Sequence, residues 1–208
     1  MFKWRLIWDH FKQMKPYIAF GSILFLAGMV IGGTNPAFKV FLNEQLKGLG
    51  QLADMIDKSS NPTLTMIVII FLNNAIKSIL VIYLGALFGI LPFLFLVVNG
   101  MLIGYLLKES AELHGGGYVM ELIVKGLLPH GILEIPAIII ACAYGMRFGV
   151  HVLKAGSSLI FARSSSAGLA RELESFVIRT VPVMVILTII LLIASVIEST
   201  ITTWLIEM

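Results

Sequence analysis

Residues 63–90 read TLTMIVIIFLNNAIKSILVIYLGALFGI, an apolar run interrupted in its middle by Asn73, Asn74, Lys77 and Ser78. A helix needs about 20 apolar residues to cross about 30 Å of hydrocarbon. This run is longer, so it predicts a span that is tilted or that protrudes from the bilayer. The turn that follows carries no charged residue, and Pro92 opens a third span over Phe93–Leu107. A connection that short predicts an antiparallel hairpin.

Three further apolar runs flank the hairpin. Tyr17–Gly33 is the first span, Leu127–Gly149 the fourth, with Pro129 and Pro136 in its opening turns, and Val181 to about Trp204 the fifth. Between spans three and four, Lys108–Lys125 reads as a polar connector that holds Gly115, Gly116 and Gly117, with a short helix after it. Residues 150–179 read as a basic, Ser-rich cytoplasmic connector. Met1–Lys15 places Trp4, Ile7, Trp8, Phe11 and Met14 at helical spacing among basic residues, which predicts an interfacial amphipathic helix. A cleavable signal is not expected, because the next apolar run is too long and no small-residue site closes it. Residues 35–61 form a second, external amphipathic segment in which Phe38, Phe41, Leu42, Leu46, Leu49, Leu52 and Ile56 recur every three or four positions.

Composition agrees with that organisation. Of 208 residues, 58% are hydrophobic and 13% charged, against about 45–50% and about 25% in soluble domains. The chain is therefore expected to be all-α: one polytopic membrane bundle, residues 1–208, with about five spans plus interfacial helices. The net charge of +3 follows from Lys and Arg at span ends, so no nucleic-acid partner is implied. With the N-terminus cytoplasmic, nine Lys/Arg fall inside and five outside, and Lys77 within a span completes the 15. That asymmetry predicts a multi-pass plasma-membrane protein with its C-terminus external.

Charged and amide side chains inside spans are expensive, which makes them functional candidates. Span two contributes Asn73, Asn74, Lys77 and Ser78, and span three Asn99. His130 and Glu134 share a face of span four, and Glu198 and Thr202 share one in span five. Lys77 is expected to face Glu134 or Glu198. Two readings stand side by side: a polar clasp between helices, or a substrate or proton pathway. No cofactor or metal is expected, because His130 and Glu134 lack an evident third ligand. Intramembrane metalloprotease and aspartyl protease patterns are absent, Ser78 is not paired with a base by spacing, and no catalytic residue is assigned, so the chain reads as a non-enzyme.

Four GxxxG pairs occur: Gly28 with Gly32, Gly85 with Gly89, Gly100 with Gly104, and Gly145 with Gly149. Such notches let helix backbones approach closely in lipid, which predicts a compact bundle and suggests a homodimer. A loose echo also links Gly89-Ile-Leu-Pro92 before Gly100 and Gly104 to Gly131-Ile-Leu-Glu-Ile-Pro136 before Gly145 and Gly149. The two copies would enter the membrane from opposite sides, as inverted repeats do.

Asn74 and Ser78, the Phe88-Gly89-x-x-Pro92 turn, Asn99-Gly100 with Gly104, Pro129-His130-Gly131-x-x-Glu134-x-Pro136-Ala137, and Glu198 with Thr202 resemble the stage II sporulation protein M family. The resemblance runs from span two through span five. It departs at Thr202-Thr203-Trp204, where members often place a Pro after the Thr. The resemblance implies a five-span membrane protein, and in endospore formers a membrane anchor for a peptidoglycan-degrading complex. The expected function is a membrane scaffold or assembly factor with membrane or cell-envelope partners. The alternative is a small transporter or permease-like component that uses Lys77, His130, Glu134 and Glu198.

Overall fold

The computed structural model describes residues 11–160 and 166–208, and every regular element among them is helical. Most of the amphipathic N-terminal stretch, together with Arg163, lies outside the described residues. Helix α1, Lys15–Thr34, starts with Pro16 in its first turn and ends at an extended Asn35, the conformation required before Pro36. A 3-10 turn at Pro36–Phe38 leads into α2, Lys39–Asp57. Asn61 then caps α3, Pro62–Leu84, by accepting a hydrogen bond from the Leu64 N–H at 3.1 Å.

The break after α3 lies earlier than the sequence predicts. The chain turns at Gly85–Gly89, with Phe88 at φ 57° and Gly89 at φ 75°, and α4 runs Ile90–His114. Pro92 is therefore inside the first turn of α4 and not at the bend, a position where its missing N–H leaves no gap in the ladder. The hairpin is also splayed: α3 touches α4 far less than α1 does, and an apolar cleft of about 330 Å³ opens between them.

Gly115, at φ 85° and ψ 170°, ends α4 in an extended positive-φ conformation open essentially to glycine alone. Short α5, Gly116–Glu121, continues through a π-helical stretch, Leu122–Leu127, into α6, Leu128–Ile160. Helix α7, Ser166–Ile197, passes through a second π stretch, Glu198–Thr202, into α8, Thr203–Glu207. Thus both polar connectors are largely helical where described. The first connector, Lys108–Lys125, carries ion pairs at helical spacing, Lys108 with Glu112 at 3.4 Å and Lys125 with Glu121 at 2.7 Å, which support its helix.

Five helical segments are long and apolar enough to cross a membrane: Lys15–Thr34, Pro62–Leu84, Ile90–His114, Gly116–Ser157 and Leu173–Glu207. Their closest approaches are made by glycine. A Cβ on Gly100 or Gly104 would overlap the carbonyl oxygen of Phe25 or Met29, and one on Gly28 or Gly32 that of Val97 or Met101. Gly85 meets the Gly145 carbonyl and Gly149 meets Gly89 in the same manner. All four notches are filled by helices of this chain, so they offer no support for a dimer.

Helix α2 lies across this bundle. Leu42, fully buried, packs on Met101 and Tyr105. The Tyr105 hydroxyl donates to Asn43 Oδ1 at 2.7 Å, and Lys39 reaches Glu109 at 3.4 Å. The opposite face leaves Val40 and Met55 exposed, as an interfacial helix does.

Candidate functional site

The intramembrane polar residues converge. A cavity of about 570 Å³ is bounded by Asn73, Asn74, Lys77 and Ser78 from α3, Asn99 from α4, and His130 and Glu134 from α6. Helix α2 closes part of its rim with Gln45, Gly48, Leu49 and Leu52. Sequence reading did not find that α2 contribution, because Gln45 is one of several polar residues on an amphipathic helix and nothing in its spacing sets it apart.

Within the cavity, Asn73 Nδ2 donates to Asn74 Oδ1 at 3.1 Å, and Asn74 in turn interacts with the Glu134 carboxylate. Asn99 turns back on its own helix and donates to the Phe95 carbonyl at 2.7 Å. The Ser78 hydroxyl is buried without a hydrogen-bond partner. His130 and Ser78 line the same cavity, but no hydrogen bond joins them among the described residues. Lys77 differs from expectation. It shares the cavity with Glu134, yet no ion pair joins it to Glu134 or Glu198; its exposed side chain also borders the cleft between α3 and α4.

Glu134 instead adjoins His130 and Glu198, two other members of the set expected to work together. Ligand-capable atoms of His130, Glu134 and Glu198 all lie within 4.8 Å of one another. His130 Nδ1 is 3.2 Å from Thr202 Oγ1 across the α6–α7 boundary. A third residue with a ligand-capable atom, which spacing on α6 does not supply, comes from the π stretch that follows α7. Both groups of residues adjoin widened helix: Leu128 N–H bonds five residues back to Ile123, and Thr203 N–H five back to Glu198. Pro129 follows the first π stretch and lacks the N–H that an α-helical ladder would give to Lys125, so local unwinding there has a covalent cause.

Depth follows from helix rise. Arg147 donates to Gln13 Oε1 at 3.0 Å near the start of α1. Glu134 stands about 20 Å from it along α6 at 1.5 Å per residue. The cluster therefore lies toward the end of the bundle that α2 covers, away from the Arg147–Gln13 contact.

Fold and cavity define a class: a five-span integral membrane protein with a polar pocket among its helices. The sequence profile described as Stage II sporulation protein M matches residues 19–203, and the chain belongs to that family. It is also similar to the uncharacterized protein MJ0706 of Methanocaldococcus jannaschii, 24% identical over 200 residues, covering 90% of this chain and 82% of the relative. No solved structure matches it.

Proposed function

We propose that this chain is a small transport component of the plasma membrane, with its N-terminus cytoplasmic and its C-terminus external. Its cavity takes a small polar solute or passes protons along Lys77, His130, Glu134 and Glu198. The observation that carries this reading is the space itself. A polar clasp would bring its side chains together, whereas eight polar residues here surround about 570 Å³, a volume within the range of small-molecule sites. A second reading, a scaffold or assembly factor for membrane or envelope proteins, draws support from the apolar outer face of α2, where Val40, Phe41 and Met55 are exposed.

Cysteine labelling separates the two. The single native thiol, Cys142, is fully buried and gives a silent background. Cysteine at Asn73 or Asn99 should react with a membrane-impermeant thiol reagent added from the side of α2, while cysteine at Leu94 should not. Proteoliposome flux should then fall in Glu134→Gln. Failure of both cavity positions to label from either side would remove the pathway and leave the scaffold reading.

A further inference from the structure

We propose that His130, Glu134 and Glu198 form a divalent-cation site of the zinc class, with a coordination position open to the cavity. The donor set is one imidazole nitrogen and two carboxylates, brought from two helices to within 4.8 Å of one another. Zinc accepts His nitrogen and Glu oxygen in four-coordinate sites, and three protein ligands are typical where a fourth position stays open. Tetrahedral bonds of about 2.0–2.1 Å put ligand atoms about 3.4 Å apart. Binding requires the side chains to close the observed spread to that distance.

Charge supplies the reason for a cation. Two carboxylates this near one another repel strongly where the dielectric is low. Lys77, the cationic side chain that borders the same cavity, is not paired with either of them. A divalent ion between Glu134 and Glu198 neutralises both at once.

Three independent features fit a metal and not merely a shared proton. Thr202, 4% exposed, stands against Nδ1 of His130; accepting the Nδ1–H would fix the ring and leave Nε2 as the ligand, the usual arrangement behind a metal-bound histidine. Ser78, 3% exposed, borders the same cavity with an unpartnered buried hydroxyl. Such a hydroxyl suits a metal-bound water. Finally, π-helical turns border His130 and contain Glu198 and Thr202, and such turns are frequent at functional sites. The proposal does not depend on transport, because a resident ion would equally pin α6 to α7 in a scaffold.

The test uses the full chain, purified metal-free in detergent, with Zn²⁺ alone as the probe. One Zn²⁺ per chain is expected. Glu134→Gln, Glu198→Gln and His130→Asn should each weaken binding at least about 100-fold, Thr202→Val about 10-fold, and Leu94→Met, in the apolar cleft, less than about 3-fold. Wild-type binding no tighter than that of the Glu134→Gln/Glu198→Gln double variant would overturn the site. Because a variant can misfold, wild type is also loaded with Co²⁺. Intense visible d–d bands that Zn²⁺ abolishes support the site, and a spectrum identical to Co²⁺ in buffer overturns it. Zinc binding without zinc flux into proteoliposomes would keep this site while rejecting zinc as the transported solute.

Discussion

His130 and Thr202 are 72 residues apart in the chain and meet with 3.2 Å between Nδ1 and Oγ1. This contact fastens the start of α6 to the π turn near the C-terminus. Thr202 is buried, so Thr202→Val removes the hydroxyl while keeping the shape and strands the imidazole nitrogen. Leaving a buried polar group unsatisfied costs about 1–3 kcal/mol. Reversible denaturant unfolding in detergent should show a loss of that size for Thr202→Val and recovery in Thr202→Ser. Equal stability of Thr202→Val and wild type would show that the contact holds nothing.

The glycine notches give a contrast within one chain. Gly104→Ala puts a methyl group against the Met29 carbonyl, and Gly85→Ala against that of Gly145. Backbone atoms cannot rotate away as a side chain would, so the helices must separate, and overpacking of this kind costs about 1–3 kcal/mol or more. Gly117→Ala, in α5, meets nothing within 4 Å, and its gain in helix propensity amounts to about 1 kcal/mol at most. Thermal unfolding should place the first two variants below wild type and the third level with it or above. A Gly104→Ala protein as stable as wild type would mean that α1 and α4 do not pack this closely.

Much of this architecture is legible in the sequence because membrane insertion is a matter of composition. Runs such as Tyr17–Gly33 and Val181–Trp204 have few alternatives to a span, and Asn73, Asn74, Asn99, His130 and Glu134 stand out against lipid. What sequence does not reveal is set by tertiary contact. The bend falls at Gly85–Gly89 because those glycines seat on Gly145 and Gly149 of α6, a contact that no local pattern near Pro92 announces. Glu198 joins His130 and Glu134 only because the ends of α6 and α7 adjoin. Lys77 and Glu134 lie at related depths on different walls of a cavity, so complementary charge alone misleads about pairing.

Alkaline pH should loosen α2. The hydrogen bond and charge of Glu109 hold the Lys39 ammonium above the ordinary lysine range, with Glu112 adding to the effect. A raised folded-state value means that the pair contributes fully below the unfolded lysine value, and that the contribution disappears as pH rises through the raised one. Lys39 is highly exposed, so the effect belongs to α2 docking and not to global stability. Amide exchange in α2, corrected for intrinsic rate, should accelerate at strongly alkaline pH in wild type and already be faster at neutral pH in Lys39→Gln. Unchanged exchange in Lys39→Gln would assign docking wholly to Leu42, Met101 and Tyr105.

Lys77 offers the sharpest separation between structure and function. Its ammonium lies on α3 between the polar cavity and the apolar cleft, exposed and without an ion-pair partner among the described residues. A lysine at the centre of a membrane helix costs about 2.5–3.5 kcal/mol on insertion scales. Lys77→Met removes that cost and keeps the aliphatic stem, so the variant should unfold no more easily than wild type, and a clasp residue would behave oppositely. If the cavity is a pathway, the same variant should lose solute flux in proteoliposomes while cysteine at Asn99 still labels. A Lys77→Met protein that is destabilised as much as Thr202→Val would instead make Lys77 part of the helix-joining network. Stability and flux measured on one variant therefore decide which role this charge performs.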